Sequence, residues 1–231
     1  MRRVLSATVV MAVVFTAPLD AQFMRVQPEP TSWFSLGAGI WNAGDLTDGK
    51  TGTTWDFGNR TSPQYRLSLE KVLRRSMAVG LSGTYVSAPL RYRADPGADA
   101  GTLALCASCA ADVDVYSLYA MFHSGGGNGL HQVVEGGLGV TSYQNFRRQS
   151  DGEKLPPLDA ERDFAFVFAY GVGYGFSPRA AINLVQEYGF NFHDSRGAPS
   201  TASNTLRFTN TRLGLRLGMG AQQPARRPGR R

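Results

Sequence analysis

Apolar and polar side chains alternate with a period of two along most of the chain, from about residue 32 to residue 219. Successive side chains of a β-strand point to opposite faces, so this period predicts strands rather than helices. Between Phe164 and Phe176 the even positions carry aromatic residues and one valine, while the odd positions carry only Gly, Ala and Val. Neither face suits water, so this segment is typical of a strand between lipid and a packed interior.

Eight such segments follow one another along the chain. They cover about 32–43, 63–73, 77–90, 112–123, 130–143, 164–176, 180–193 and 206–219. The alternation is ambiguous in the fourth segment, where we favour Tyr116 and Phe122 on the outer face. In the last segment Leu206 and Phe208 are out of phase with Leu213, which predicts a bulge or the membrane boundary at that point.

The connections between these segments alternate between short and long. Residues 74–76, 124–129 and 177–179 are short turns, and the second contains the turn-forming pair Asn-Gly. The long connections are 44–62, 91–111, 144–161 and 194–205. An even number of strands with short periplasmic turns and longer outer loops is the pattern of bacterial transmembrane barrels. We therefore predict an all-β fold, an eight-stranded antiparallel up-and-down transmembrane β-barrel, with both termini on the periplasmic side.

The alternative to a membrane barrel is a secreted, soluble β-domain with the same strands. Strands in lipid must hydrogen-bond along both edges, so a membrane sheet has to close on itself. Aromatic residues near the predicted strand ends fit the girdles that barrels place at the membrane interfaces. These candidates are Trp33, Trp41, Tyr65, Tyr85 and Tyr174.

The N-terminus has the pattern of a cleaved signal peptide. Arg2 and Arg3 precede an apolar stretch over 4–16 that is too short to span as a helix, and a small-residue cleavage site ends at Ala21. The predicted organisation is a signal peptide at 1–21, a short segment at 22–30, the barrel at 31–219 and a periplasmic tail at 220–231.

Composition narrows the classes of function. The 231 residues include 27 Gly, 3 His and 2 Cys, and the formal net charge is +6. Basic residues do not interleave with aromatic residues as they do on a nucleic-acid-reading surface, so we predict no nucleic-acid partner. The three His residues lie apart from the two Cys residues in the predicted topology, so neither a metal nor a cofactor is predicted.

The last segment ends in the sequence RLGLRLGM over residues 212–219. Through Gly214, Leu217 and Met219 it resembles the assembly signal of small bacterial outer-membrane barrels, such as the OmpA membrane domain, OmpX and OmpW. That family prefers an aromatic residue at the very C-terminus, whereas here a tail follows Met219. The resemblance extends over nearly the whole mature chain. It implies a monomer in outer-membrane lipid, inserted by the barrel-assembly machinery.

Charged residues of both signs fall on the predicted inner face. They are Arg66, Glu70, Glu135, Glu187, Arg212 and Arg216. Four of them lie about equally far from the predicted turns, which indicates one charged layer, and we expect Glu187 to pair with Arg212 on the neighbouring strand. An eight-stranded barrel is only wide enough to be filled by side chains or to hold one small ligand. We interpret the network as a closed plug, with a gated polar path as the alternative.

Cys106 and Cys109 lie close together in the second long connection. In an exported chain this spacing favours a local disulfide, and free thiols are the alternative. A redox role would need a βαβ context that the pattern lacks, and zinc would need two further ligands nearby.

His193 and Ser195 stand at the outer end of the seventh segment. The pair resembles that of outer-membrane lipid A deacylases, in which it would supply the base and the nucleophile. The predicted phase turns both residues inward, however, and Arg196 stands where that family has Asn. We therefore expect polar loop residues here and no enzyme.

Three hypotheses of function follow. The first is a structural or surface-interaction barrel in the outer membrane that displays its loops to an extracellular ligand. The second is a narrow transport barrel for a small or apolar solute, and the third is a lipid A-modifying hydrolase. Ion conductance separates the first two hypotheses, and a change in lipid A mass on expression identifies the third.

Overall fold

Strands account for most of the chain that the structure describes. The structure is a computed structural model that describes residues 29–58, 60–74, 76–95, 98–194 and 204–221. The predicted signal peptide and most of the predicted tail lie outside these ranges. In chain order the elements are β1 (Ser32–Ala43), β2 (Asp45–Asp48), β3 (Thr53–Asp56), β4 (Ser62–Arg74), β5 (Met77–Ala94), α1 (Ala100–Leu105), β6 (Ser108–Ser124), β7 (Gly129–Arg148), β8 (Glu161–Ser177), β9 (Ala180–Phe192) and β10 (Thr205–Met219). Within the described ranges, no helix is long and apolar enough to cross a membrane.

The sheet closes between the first and last long strands. Successive long strands pair antiparallel in the order β1, β4, β5, β6, β7, β8, β9, β10. Strand β10 then pairs with β1, from Met219 opposite Ser32 to Phe208 opposite Ala43. Closure pairs both edges of every long strand, which is what lipid requires. The predicted eight-stranded antiparallel barrel is confirmed.

The two ends of the barrel differ. The end with the three short connections is called the turn end, and the other is the loop end. At the loop end the strands run further than predicted, because β5 reaches Ala94, β6 begins at Ser108 and β7 reaches Arg148. The first long connection folds into the β2–β3 hairpin, and β3 pairs with β5. Parts of the long connections therefore extend the sheet beyond the predicted strand segments.

An exposed apolar belt surrounds the outer face. Leu81 is 58% exposed and Phe176 is 52% exposed, and similar side chains lie on every long strand. The favoured phase of β6 is confirmed, since Tyr116 and Phe122 are on this face, 43% and 36% exposed. A continuous apolar surface of this extent is unfavourable in water and is the expected outer face of a barrel in lipid.

A hydrophobic core fills the barrel at its loop end. Its largest fully buried side chains are Leu46, Trp55, Phe57, Leu90, Tyr92, Tyr143, Phe146, Leu155 and Leu206. Burial of each large apolar side chain contributes about 1.5–3 kcal/mol. The loop end is therefore packed like the interior of a soluble domain.

One prediction about the loop end is wrong, and one of two alternatives for β10 is excluded. Trp41 is only 2% exposed and packs against Phe57 and Phe208, with ring centroids at 5.4 and 6.1 Å, so it belongs to the core and not to an interfacial girdle. Of the two explanations predicted for Leu206 and Phe208, a bulge is excluded, because β10 pairs with β9 without a shift from Thr205 to Leu217 and with β1 up to Phe208. The inner face of β10 changes from polar to apolar toward the loop end, which mimics a phase change in the sequence.

Candidate functional site

Four charged side chains meet in the lumen and form a group that we call the central ion cluster. Nη1 of Arg66 lies 2.5 Å from Oε2 of Glu187, and Nη2 of Arg66 lies 3.4 Å from Oε2 of Glu135. Nη2 of Arg212 lies 2.6 Å from the same Glu135 oxygen. These side chains are between 1% and 6% exposed, so each charge depends on its partner and not on water.

Glycines on the inner face of the neighbouring strands make room for the arginines. A Cβ at Gly37 would lie 3.0 Å from Cδ of Arg212, and one at Gly214 would lie 3.3 Å from its Nη1. Gly37 is also directly opposite Arg66 in the register of β1 and β4. The small residues of β1 and β10 therefore let two long cationic side chains fill the lumen.

The predicted pair between Glu187 and Arg212 is wrong. The register of β9 and β10 sets Glu187 opposite Asn210, and Arg212 opposite Val185. Glu187 binds Arg66 on β4 instead, three strands away around the barrel, because a long arginine side chain crosses the narrow lumen.

A second group lies between this cluster and the turn end. Nη2 of Arg216 lies 2.5 Å from Oε2 of Glu70, and its Nη1 lies 2.8 Å from Nε2 of His123. Arginine can only donate, so this ring nitrogen of His123 accepts and the ring proton is on Nδ1. Nδ1 faces Oε1 of Glu135 at 3.3 Å. Cζ of Arg216 also stands 4.6 Å from the ring centre of Trp33.

The two groups form one continuous charged network through the lumen. Its members in order are Glu70, Arg216, His123, Glu135, Arg66 and Glu187, with Arg212 attached at Glu135. The network contains three arginines and three glutamates, so their formal charges sum to zero. His123 was not among the predicted members of the network, although the outward phase of Phe122 already placed the next residue inward.

A histidine between two carboxylates fastens the loop end. Nδ1 of His193 lies 2.6 Å from Oδ1 of Asp163 on β8, and its Nε2 lies 3.3 Å from Oδ1 of Asp48 on β2. All three side chains are at most 2% exposed. The ring of Trp55 on β3 covers the imidazole, at 5.5 Å between ring centroids. His193 thus ties the β2–β3 hairpin to the barrel wall.

The charge of this bridge follows from its geometry. Burial disfavours the imidazolium, but hydrogen bonds to Asp163 and Asp48 outweigh that cost and raise the pKa of His193 to about 9. Burial likewise opposes the ionised form of Asp48, yet its bonds to His193, Thr51 and the Lys50 amide hold its pKa below the ordinary value. At neutral pH the imidazolium of His193 is therefore held between the Asp163 and Asp48 side chains.

Neutral hydrogen bonds lie in the lumen between the histidine bridge and the central ion cluster. Nδ2 of Asn191 donates to the hydroxyl of Tyr143 at 2.7 Å, and the hydroxyl of Thr141 donates to Oδ1 of Asn191 at 3.3 Å. Asn210 donates to Oε1 of Gln64 on the other side of the lumen. These bonds engage the amide of Asn191 and the hydroxyl of Tyr143, while Oδ1 of Asn210 is buried without a hydrogen-bond partner among the described residues.

Two other candidate sites from the sequence lie at the loop end. Cys106 and Cys109 form a disulfide directly after α1, as predicted. His193 lies inward, while Ser195 lies outside the described residues. Both ring nitrogens of His193 are engaged by carboxylates, so neither is available to activate a nucleophile.

The comparisons with known proteins agree with this architecture. No protein-family model matches the chain, and no curated protein matches it. Among solved structures the chain is similar to Neisserial surface protein A, with a TM-score of 0.54 and 12% identity, over 82% of this chain and 97% of that one. The fold is that of a small bacterial outer-membrane β-barrel.

Two further outer-membrane barrels also match at low similarity. One is the N-terminal β-barrel domain of OprF from Pseudomonas aeruginosa, with a TM-score of 0.40 and 14% identity, over 82% of this chain and 99% of that one. The other is Ail of Yersinia pestis, in complex with the heparin analogue sucrose octasulfate, with a TM-score of 0.40 and 13% identity, over 80% and 99%.

Proposed function

We propose that the protein is a closed outer-membrane barrel that carries an ordered surface at its loop end, with a structural or surface-interaction role. The observation that carries the proposal is the filling of the lumen. The charged network occupies the lumen from Glu70 to Glu187, and the hydrophobic core around Trp55 follows at the loop end. Both layers contain side chains fixed by several partners, which favours a plug over a water-filled path.

The orientation we propose places the turn end and both termini in the periplasm. Short turns on that side and long connections on the other are the rule for bacterial barrels. The proposed assembly signal lies at the turn end, where Leu217 and Met219 are 41% and 45% exposed on the outer face. Recognition by the barrel-assembly machinery and a monomeric state belong to the same proposal.

The structure of the loop end supports a role in binding at the cell surface. The β2–β3 hairpin is tied down by His193, and α1 by the Cys106–Cys109 disulfide. Arg148 binds both Asp151 and Glu153 across the third long connection. Loops that are ordered before binding lose less conformational entropy when a ligand binds.

The same geometry argues against the lipid hydrolase hypothesis. A general base needs one ring nitrogen free to accept a proton from the nucleophile. His193 holds a carboxylate on each nitrogen and faces the lumen, away from acyl chains in the bilayer. We therefore propose a non-enzymatic role.

Ion conductance tests the closed lumen. The mature protein is refolded into detergent, checked for heat-modifiable mobility on a gel, and incorporated into planar bilayers. We expect no steady conductance steps from the wild-type protein. A double variant, Glu135→Gln with Arg212→Gln, removes the Arg212–Glu135 ion pair and the contact of Glu135 with Arg66 without changing the net charge, and should also show no conductance steps.

Each conductance outcome has a clear meaning. Steps of constant size from the wild-type protein would overturn the closed plug and favour the narrow transport barrel. If the wild-type protein shows no conductance steps and the double variant does, the ion pairs of Glu135 act as a gate, which also favours transport. The absence of conductance steps from both proteins supports the proposed role.

A further inference from the structure

A groove on the outer face of the barrel, at its turn end, has the shape of a binding site. It has a volume of about 620 Å³ and runs over β4, β5 and the start of β1. Gly83 is its deepest point, because it stands on the outer face between Leu67 and Leu118 and has no side chain. The two leucines are 48% and 53% exposed and form the walls of the groove at that level.

The groove is apolar in the middle of the wall and polar at its end. Leu69 and Leu81, which face each other in the register of β4 and β5, continue it toward the turn end. There it reaches Lys71, which is exposed and paired in register with Ser32. From Gly83 to the level of Lys71 is four residues along β5, or about 13 Å.

We propose that this groove binds one anionic phospholipid, with an acyl chain between the leucines and its phosphate at Lys71. The inference rests on the proposed orientation, which places the turn end at the phospholipid headgroups of the periplasmic leaflet. An apolar channel that ends at a single cation matches an amphipath with one anionic head. The volume is in the range of small-molecule sites, whereas an even wall would give only transient lipid contact.

The groove offers a matched pair of glycine substitutions. A Cβ at Gly83 meets nothing closer than a backbone oxygen at 3.9 Å, so a side chain there fills the groove without straining the strand. Gly136 also stands on the outer face, between Phe122 and Phe168, and a Cβ there meets nothing within 4 Å. Gly83→Leu therefore removes the groove, and Gly136→Leu adds the same side chain elsewhere in the belt.

The chain also contains its own reporter. Trp33 borders the groove at the level of Glu70, with its ring on the lumen side beside Arg216, and is the tryptophan nearest the groove. Trp41 and Trp55 are 2% and 0% exposed in the core at the loop end. Bromine atoms on a lipid chain quench tryptophan fluorescence at short range, so quenching reports mainly on Trp33. A Trp33→Phe variant measures the remaining signal from the two buried tryptophans.

The experiment uses the full mature chain in phosphatidylcholine vesicles that contain a small fraction of brominated phosphatidylglycerol. Heat-modifiable mobility first shows that each variant has inserted as a folded barrel. We expect quenching of the wild-type protein about threefold above that set by the bulk fraction of brominated lipid. Gly83→Leu and Lys71→Gln should each return quenching to the bulk level, while Gly136→Leu and Arg74→Gln should leave it unchanged.

The possible failures are distinguishable. A barrel that does not insert contradicts the proposed function itself. A folded, inserted wild-type protein whose quenching follows the bulk fraction overturns the lipid site alone. If excess quenching survives Lys71→Gln, or is equal for brominated phosphatidylcholine, the proposed recognition of an anionic headgroup is wrong. If excess quenching survives Gly83→Leu, the groove is not the binding site.

Discussion

Glu187 on β9 forms its ion pair with Arg66 on β4, 121 residues away in the chain and three strands away around the barrel. The 2.5 Å contact crosses the lumen and links walls that share no backbone hydrogen bonds. Pairs of this kind connect distant strands, so they oppose any widening of the barrel as well as neutralising buried charge.

A double-mutant cycle tests this pairing. Arg66→Met and Glu187→Gln should show a coupling energy of about 2 kcal/mol. Arg212→Met and Glu187→Gln should show a clearly smaller coupling energy, because these two side chains are linked only through Arg66 and Glu135. The measurement is urea unfolding in lipid vesicles, followed by tryptophan fluorescence. Strong coupling between Glu187 and Arg212 would contradict the register of β9 and β10.

Removal of the Glu135 carboxylate should destabilise the barrel strongly. Glu135→Ala leaves Arg66 and Arg212 buried with too little negative charge, which costs about 3–5 kcal/mol. Glu153→Ala is the matched control, because Glu153 pairs with Arg148 but is 46% exposed, and such pairs contribute about 0–1 kcal/mol. Equal urea midpoints for the two variants would show that the lumen network does not stabilise the fold.

Stability should fall as pH rises above neutrality, because of His193. Its pKa is raised from 6.5 to about 9 on folding, so its stabilisation is complete below about pH 6.5 and is lost as pH rises toward 9. The lowered pKa of Asp48 acts in the opposite direction, since its contribution is present above about 3.8 and is lost in acid. We therefore expect the bridge to contribute most between these limits.

The pH prediction is checked with urea midpoints of the wild-type protein and His193→Gln at pH 6 and above pH 9. The difference between the two proteins should be large at pH 6 and small in the alkaline samples. A constant difference would mean that His193 contributes by packing under Trp55 alone.

The disulfide should organise only its own loop. Cys106 and Cys109 are three residues apart, so the bond restricts little of the unfolded chain, by about 2 kcal/mol at most. A variant with both residues changed to Ser should keep heat-modifiable mobility and unfold near the wild-type midpoint. Limited proteolysis should cut the segment around α1 faster, and loss of the barrel itself would contradict this assignment.

The barrel could be predicted from the sequence because its signals are local. The period of two predicts the first strand, Ser32–Ala43, and the outward orientation of Tyr116. This period depends only on the fact that successive side chains of a strand point to opposite faces. The inward phase of β10 near Arg212 follows from the same rule. The prediction for Trp41 was wrong because the period of two identifies only the face on which a residue lies. The composition of the inner face changes from polar to apolar along the barrel.

The sequence by itself determined the number of long barrel strands, their order, and which face of each meets lipid, since backbone pleating and short turns act over a few residues. Tertiary structure alone decided the partners inside the lumen. Asp48 meets His193 across 145 residues, from a connection with no alternation to mark it. Closure of the barrel and tilt of its strands bring such side chains together. The length of the arginine side chains and the space left by inward glycines then decide which contacts form, and no local sequence pattern encodes these contacts.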